Sequence, residues 1–306
     1  MPEMKSTNYI AKDRESMYDP MEDRMHDEDP FSSLMLIDLM TTELCNLTCE
    51  FCPRAHGYPN LNLHMDLKLI DKIGKELANS HYENRLLYCG FGESLLYKHL
   101  TESIQLLKKH MPWQQNIHMV TNGDRLTYDK TLELLDAGVN KFFVSMYDGE
   151  WQVEKFTKLF EQVGMNKDQY ILQHYYKPPE ENYGFLYLSN RAGYLFDQKL
   201  PELGCNIPFY AMSIHWDGDV LLCSHDWEKK QIMGNVGKQS IQDIWLKSKK
   251  LWEFRQTLAQ DRSCHPCNKC NIKGVLYGNV SKDTLFANEQ QLDPATKEIK
   301  IKNVNV

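Results

Sequence analysis

The sequence predicts an α/β fold, with a partial (β/α)6 TIM-like barrel followed by a small, cysteine-rich C-terminal domain. Three observations lead to this fold class. Short apolar runs alternate with stretches of helical spacing from residue 34 to about residue 173, as in parallel sheets whose strands are joined by helices. Only five or six such units are present, fewer than the eight of a closed barrel. Near Pro201 the pattern changes to hairpin-turn signals and clustered cysteines.

Each element of the barrel has its own pattern. The first strand is the apolar run 34–40, and the first helix, 65–78, carries apolar residues at intervals of three and four. Further strands are predicted at 85–89, 116–121, 141–146 and 170–173, and further helices at 99–110, 127–137 and 151–163. In such an arrangement the functional residues lie in the loops that follow the carboxyl ends of the strands.

The C-terminal domain is predicted from turn chemistry. Strands at 211–216 and 220–223 flank Asp217-Gly218, a dipeptide typical of hairpin turns. Helices predicted at 240–247 and 251–259 precede three closely spaced cysteines. We therefore expect an N-terminal extension at 1–33, a barrel domain at 34–200, a cysteine-rich domain at 201–280 and a polar tail at 281–306.

Composition narrows the class of protein. The net charge of −7 argues against nucleic acid as the main partner. No run reaches the ~18–20 uncharged apolar residues of a membrane span, because Asp38 interrupts the best of them, 34–40. The polar N-terminus is unlike a secretory signal, so the nine cysteines are interpreted as metal ligands in a reducing cytoplasm. Cys89, inside a predicted strand, is interpreted as a small core residue.

The loop after the first strand carries the strongest motif in the chain. Cys45, Cys49 and Cys52 have C-x3-C-x2-C spacing. Three thiolates so placed can ligate three irons of a [4Fe–4S] cluster and leave the fourth iron open to another ligand. The alternatives are a zinc knuckle or plain buried thiols.

Four further features fall at the ends of predicted strands or beside the cysteines. The segment 90–93, Gly-Phe-Gly-Glu, follows the second strand; Asn122 ends the third strand and Ser145 the fourth. Phe51 directly precedes Cys52. Together with the cysteine spacing, these residues resemble the motifs of the radical SAM superfamily.

The resemblance implies a cofactor and a set of contacts. S-adenosylmethionine (SAM) would chelate the open iron, and electron transfer into it would release a 5′-deoxyadenosyl radical. The motif containing Gly90, Gly92 and Glu93 would hold the methionine amino group, although Ser94 replaces the proline that usually follows. Asn122 and Ser145 would contact the ribose and carboxylate, and Phe51 would lie next to adenine. An external one-electron reductant of the flavodoxin or ferredoxin class is also implied.

Five cysteines lie in the C-terminal domain: Cys205, Cys223, Cys264, Cys267 and Cys270. This pattern resembles the SPASM/twitch extension of radical SAM enzymes, in its shorter form with one auxiliary [4Fe–4S] cluster. The resemblance implies Cys205, Cys223, Cys267 and Cys270 as the ligands. Cys264 is then an incidental thiol, a hydrogen donor or a swapped ligand. A zinc site on residues 264–270 is the alternative.

Within the superfamily, the chain resembles the 2-deoxy-scyllo-inosamine dehydrogenases, twitch enzymes of aminoglycoside biosynthesis. The shared features include the segment 188–193, Leu-Ser-Asn-Arg-Ala-Gly. The resemblance implies that the radical removes a substrate hydrogen, that the auxiliary cluster takes an electron, and that a proton leaves through Arg191, giving a ketone. Because a guanidinium normally stays protonated, Arg191 can instead orient and polarise the substrate.

Other functions remain open at this point. An epimerase would use a thiol, with Cys264 as the candidate, to return hydrogen to the opposite face of the substrate. A SPASM maturase would act on a peptide instead of a small molecule. A zinc-stabilised binding module would leave the glycines and Asn122 at the strand ends unexplained. The aromatic segment 173–187 is expected to help shape the substrate pocket.

Overall fold

A single sheet runs through the protein. The computed structural model describes residues 29–176, 189–197 and 203–288, except 273 and 276. Within these residues the strands are β1 (Leu36–Met40), β2 (Arg85–Tyr88), β3 (Ile117–Thr121), β4 (Lys141–Met146), β5 (Tyr170–His174), β6 (Ala211–His215), β7 (Asp219–Leu221) and β8 (Ile232–Asn235).

The helices follow the strands in alternation through the first half of the chain. Those described are α1 (Leu67–Asn79), α2 (Leu100–His110), α3 (Tyr128–Ala137), α4 (Trp151–Gln162), α5 (Ile207–Tyr210), α6 (Ile241–Lys247), α7 (Lys249–Leu258) and α8 (Asn279–Ala287). Helix α1 shows why the sequence forms them, since the Asp66 carboxylate caps its first turn and Ile70, Ile73 and Leu77 form one buried stripe. Among the described residues, no helix is both long and apolar enough to cross a bilayer.

The strand order is β5-β4-β3-β2-β1-β6-β7-β8. The six strands β1 to β6 are parallel to one another. Strand β7 pairs with β6 in antiparallel orientation, and β8 pairs with β7 in the same way. Six parallel strands confirm the predicted partial barrel. Because β1 lies between β2 and β6, the loop that follows it is flanked by the loops after both neighbours.

The two faces of the sheet differ in chemistry. Ile37 and Leu39 of β1 belong to the helix-covered apolar core. The alternate residue Asp38 points to the other face, where it contacts Ser213 of β6. His118 and Ser145 are also buried polar residues of this sheet. The polar face identifies the interior of the partial barrel.

Strand β6 differs from its predicted place. The segment 211–216 was expected to be part of a separate C-terminal domain, but β6 pairs with β1 from Leu36↔Ala211 to Met40↔His215. The hairpin signal correctly indicated its antiparallel partner β7. It carried no information about the second edge of β6, and that edge joins the barrel sheet. The predicted division at 200/201 therefore does not separate two sheets.

The ends of the described chain pack on the core. Helix α8 crosses the predicted start of the tail at 281, with Leu285 fully buried and the Phe286 ring 5.7 Å from that of Phe209. At the other end, the Trp245 indole donates to Ser33 Oγ at 2.9 Å. The residues 1–28 of the predicted extension and 289–306 of the predicted tail lie outside the described residues.

Candidate cluster-binding sites

The cysteine loop leaves β1 and is held by hydrogen bonds. The Cys45 N–H donates to Asn60 Oδ1 at 2.9 Å, and Asn60 Nδ2 returns a bond to the Cys45 carbonyl at 2.8 Å. The Cys52 N–H donates to the Cys49 carbonyl at 2.9 Å. Burial, and then the neighbouring Cys52 and Cys45 thiolates, raise the pKa of Cys49 to about 12. The three thiols thus lie close enough to interact, as ligands of one cluster must.

A buried arginine that the sequence analysis missed fastens this loop. Arg54 donates from Nε and Nη2 to the Phe91 carbonyl, at 3.0 and 2.7 Å, and from Nη1 to the Pro59 carbonyl at 2.6 Å. It also donates to the Glu43 carbonyl. Arg54 therefore joins the cysteine loop to the glycine-containing loop after β2. Its position two residues after Cys52 was the only available signal.

The loop after β2 needs glycine where it touches the loop after β1. Gly90 has φ of +129°, and a Cβ at Gly92 would lie 2.4 Å from the Thr42 carbonyl oxygen. The Glu93 N–H donates to the Leu44 carbonyl at 2.8 Å. The two predicted motifs are therefore in direct backbone contact.

Glu93 is a buried carboxylate, 4% exposed, at the ends of β2 and β3. It accepts hydrogen bonds from Thr121 Oγ1 at 2.6 Å, from the Asn122 N–H at 2.8 Å and from the Leu95 N–H at 3.0 Å. Burial raises its pKa, and these three donors oppose the rise. Glu93 thereby orders the loops after two neighbouring strands.

Asn122 and Ser145 continue this row of strand ends. Asn122 Nδ2 donates to Asn46 Oδ1 at 2.9 Å, which connects β3 to the cysteine loop. Ser145 Oγ donates to Gln173 Oε1 at 3.0 Å, which connects β4 to β5. The structure thus gathers the predicted cofactor residues along one edge of the sheet. Asn46 and Gln173 were not predicted as site residues.

Three aromatic rings meet at the end of this row. The Phe51 ring centroid lies 5.6 Å from that of Tyr147 and 5.9 Å from that of Tyr175, with the last pair stacked at 18°. Tyr147 and Tyr175 are 5.3 Å apart. Phe51 was predicted beside adenine, and these rings offer the flat apolar surface that a planar base requires. The predicted pocket segment 173–187 is described only as far as 176.

A second cysteine site lies beyond β6. One cavity is lined by Cys205, Cys223, Cys267 and Cys270, the four ligands implied by the resemblance, together with Ala192, His225 and Arg262. Main-chain N–H groups of Ile207, His225 and Ile272 donate to the thiols of Cys205, Cys223 and Cys270 respectively. Four thiols around one cavity, three of them accepting main-chain hydrogen bonds, fit an iron–sulfur cluster.

The two remaining cysteines lie elsewhere. Cys264 is hydrogen-bonded to Cys267 but does not line the cavity. The Cys89 thiol donates to Asp38 Oδ1 at 3.5 Å inside the barrel. In the described part of the chain, no three His, Cys, Asp or Glu side chains converge as a site for a single metal ion.

Arg191 is held against the second site by an unusual backbone. Arg191, Ala192 and Gly193 have φ of +50°, +54° and +88°. Fully buried Asn190 fixes this turn, because its N–H donates to Asn271 Oδ1 at 2.8 Å and its own Oδ1 accepts from the Asn271 N–H at 3.2 Å. The Ala192 N–H donates to Cys270. Leu188, the first residue of the predicted motif, lies outside the described residues.

Aromatic and charged residues lie between the two sites. Trp227 stacks on Phe91 at 4.3 Å and receives the Arg191 guanidinium at 5.8 Å from its ring centroid. His215 Nε2 lies 2.6 Å from Glu43 Oε1, and both side chains are buried. Cys52 packs against the cluster that contains Phe91 and Trp227. Sequence patterns gave no sign of these contacts, since each joins residues from different segments of the chain.

Comparison with known proteins agrees with both sites. Residues 39–162 match the family model of the radical SAM superfamily, and residues 205–271 match SPASM, an iron–sulfur cluster-binding domain. An S-adenosyl-L-methionine-dependent 2-deoxy-scyllo-inosamine dehydrogenase of Niallia circulans is 28% identical over 249 residues, which cover 78% of this chain and 94% of that protein.

Two solved structures extend the similarity to the fold. A crystal structure of BtrN in complex with AdoMet and 2-DOIA has a TM-score of 0.68 and 27% identity, covering 81% of this chain and 97% of that one. An open conformation of selenomethionine BtrN gives a TM-score of 0.58 at 24% identity, covering 78% and 92%, and supports the fold alone. With both family models matched and one cysteine site formed in each matched region, residues 39–162 are a radical SAM domain and residues 205–271 are a SPASM iron–sulfur domain.

Proposed function

We propose that the protein is a radical SAM dehydrogenase that oxidises a small, polar substrate of the sugar or aminocyclitol type. The observation that carries this proposal is the position of Arg191 directly before Ala192, a residue that lines the second cysteine site. Ala192 lines the cavity with Cys205, Cys223, Cys267 and Cys270, so Arg191 lies next to the proposed electron acceptor. The similar protein of Niallia circulans is named for the dehydrogenation of an aminocyclitol, which agrees with this substrate class.

We assign the site residues accordingly. Cys45, Cys49 and Cys52 hold the first cluster, and Cys205, Cys223, Cys267 and Cys270 hold the auxiliary cluster. The SAM contacts are Phe51, Gly90, Gly92, Glu93, Asn122 and Ser145. When bound, SAM and the first cluster supply a radical that removes a hydrogen atom, and the auxiliary cluster supplies an electron acceptor.

The chain's own side chains determine what happens to the substrate. Loss of a hydrogen atom, an electron and a proton converts a carbinol to a ketone. Because a guanidinium is a hydrogen-bond donor and not a base, the role of Arg191 is to orient and polarise the reacting hydroxyl, whose proton passes to water. The rings of Phe91, Trp227 and Tyr58 pack against one another, and the Arg191 guanidinium lies over the Trp227 ring.

The reaction needs an electron donor and a reducing environment. We infer an external one-electron reductant of the flavodoxin or ferredoxin class, because the first cluster must be reduced before each cleavage of SAM. All nine cysteines are free thiols. Free thiols in this number are typical of the reducing cytoplasm, where we place the protein.

The direct test is a stoichiometric turnover. The anaerobically reconstituted enzyme is incubated with SAM, a reductant and 2-deoxy-scyllo-inosamine, with the matched polyol lacking the amino group as a second substrate. We expect a product lighter by two hydrogens, formed with one 5′-deoxyadenosine. A Cys45→Ala/Cys49→Ala/Cys52→Ala variant serves as the control and forms neither compound.

Two outcomes would replace the proposal. A product of unchanged mass that contains solvent deuterium would indicate an epimerase. Loss of that deuterium in Cys264→Ala would identify Cys264 as its hydrogen donor. Failure with every small polyol, together with modification of a peptide, would indicate a SPASM maturase.

A further inference from the structure

Arg262 is a buried cation in the wall of the auxiliary cavity. Its side chain is 8% exposed and lines the same cavity as the four cysteines. Nε and Nη2 each donate to the Gly204 carbonyl at 3.2 Å, and Nη1 donates to the Cys270 carbonyl at 3.4 Å. Since Gly204 directly precedes Cys205, the guanidinium reaches from one candidate ligand to another.

The charge of Arg262 is directed at the thiols. The hydrogen bonds described for its side chain all go to carbonyl oxygens, which satisfy the N–H groups without neutralising the cation. Burial raises the pKa of Cys205 to about 11, and Arg262 opposes that rise. Burial also raises the pKa of Cys270, against the Ile272 N–H and Arg262.

The loop at the first site has a different balance of charge. Burial raises the pKa of Cys45, Glu93 raises it further, and Arg54 opposes them. Asp148 adds to the rise at Cys49. Carboxylates and the Arg54 guanidinium therefore act together on the first group of thiols, whereas guanidinium groups oppose the rise in pKa at Cys205 and Cys270. Among the auxiliary thiols, Cys223 also feels the buried carboxylate of Asp38.

We propose that Arg262 raises the reduction potential of the auxiliary cluster and so makes that cluster a ready acceptor of the electron lost by the substrate. The role of this cluster as electron acceptor rests on the proposed dehydrogenase function. The reduction potential itself can be measured whether or not that function is correct. Reduction adds one negative charge to the cluster, and a nearby cation in a medium of low dielectric stabilises the reduced form more than the oxidised form. The electron leaves the substrate carbon and the auxiliary cluster gains it.

The test compares Arg262→Gln with Arg262→Lys in the full chain. Both are made in the Cys45→Ala/Cys49→Ala/Cys52→Ala background, which leaves only the auxiliary site. The midpoint potential is measured without substrate by redox titration followed by electron paramagnetic resonance (EPR). Iron and acid-labile sulfide are counted in parallel. Lys109→Gln, on the exposed surface of helix α2, removes the same charge far from the cavity and is the matched control.

We expect Arg262→Gln to lower the equilibrium constant for reduction about tenfold, which is about 59 mV for a one-electron couple. Arg262→Lys keeps the charge and is expected to retain most of the potential, and Lys109→Gln is expected to leave it unchanged. A fully loaded Arg262→Gln variant with the original potential would overturn the proposal. Equal shifts in the Lys and Gln variants, or loss of the cluster in both, would assign Arg262 to backbone positioning alone. A ketone product with an unchanged potential would leave the dehydrogenase function standing.

Discussion

The two cysteine sites use the same ligand type in different surroundings. The first is a short loop at the edge of the sheet, with polar side chains around it. The second encloses its thiols in a cavity, where burial raises the pKa of Cys223 well above its ordinary value. A cation in the wall of the second site favours the uptake of an electron there, whereas an open edge leaves room for a small cofactor. Because both sites use cysteine thiols, the difference between their proposed redox roles follows from the side chains and backbone around them, and not from the ligands.

The largest expected effect comes from removing one site at a time. Cys267→Ala/Cys270→Ala is expected to reduce bound iron from about eight to about four, because each [4Fe–4S] cluster needs its thiolates. SAM cleavage persists in this variant, but the oxidised product disappears. In Cys45→Ala/Cys49→Ala/Cys52→Ala the iron also falls to about four, and SAM cleavage itself is lost. Iron analysis with chromatography of 5′-deoxyadenosine and product makes both measurements. Oxidised product from the first variant would show that the two sites do not divide the work as described.

The second prediction concerns Asn190, which fixes the turn beside the second cysteine site. Asn190→Ala removes the bond that Asn190 Oδ1 accepts from the Asn271 N–H and the bonds that Nδ2 donates to the Phe196 and Lys269 carbonyls. It leaves buried polar partners unsatisfied, at a cost of about 1–3 kcal/mol. We expect a lower melting temperature and weaker retention of the auxiliary cluster, with the first cluster intact. Asn62→Ala, at an exposed position, is the control. Equal melting temperatures and iron contents for the two variants would refute the role of this pair.

A third prediction concerns the buried contact between His215 and Glu43. Burial tends to lower the pKa of His215, but its hydrogen bonds to Asp217 and Glu43 outweigh burial and raise it. A group whose pKa is raised on folding stabilises the fold fully below its unfolded pKa, about 6.5, and loses that contribution as pH rises through the folded value. We expect the melting temperature to fall from pH 6 upward, and to fall less steeply in His215→Gln. The exposed His81→Gln variant should retain the slope; a parallel slope in His215→Gln would contradict the assignment.

The smallest effect is expected at Cys264. Its thiol is hydrogen-bonded to Cys267 and does not line the cavity. Cys264→Ser should therefore leave iron content and oxidised product almost unchanged. Metal analysis and product quantification check this directly. A loss of about four irons would instead show that Cys264 is a ligand of the auxiliary cluster.

The sequence predicted best what is local. The residues of the first site fall within short motifs, and each motif directly follows a strand whose apolar pattern is clear. The four implied ligands of the second site come from three separate segments, and the resemblance to the SPASM pattern was needed to join them. Strand bounds were accurate within about two residues for the barrel, because buried strands and amphipathic helices have strong periodicity.

What the sequence could not predict is long-range. Arg54, Trp227 and Asn271 act through contacts with backbone or rings from other segments. Arg54 and Asn271 lie close to a cysteine in the sequence, but that position does not indicate which groups they contact. Strand β6 pairs on both edges, and a hairpin signal reports only one of them. Helix α8 was missed because its nine residues are weakly amphipathic, so tertiary packing on Phe209 and Trp252 determines its formation.

The central claim is that oxidation of the substrate passes through the auxiliary site. The most direct measurement is a single turnover that is frozen and examined by EPR, with the product mass taken from the same sample. The account predicts one reduced auxiliary cluster for each product molecule that is lighter by two hydrogens. A product of unchanged mass, or a lighter product formed while the auxiliary cluster stays oxidised, would contradict it.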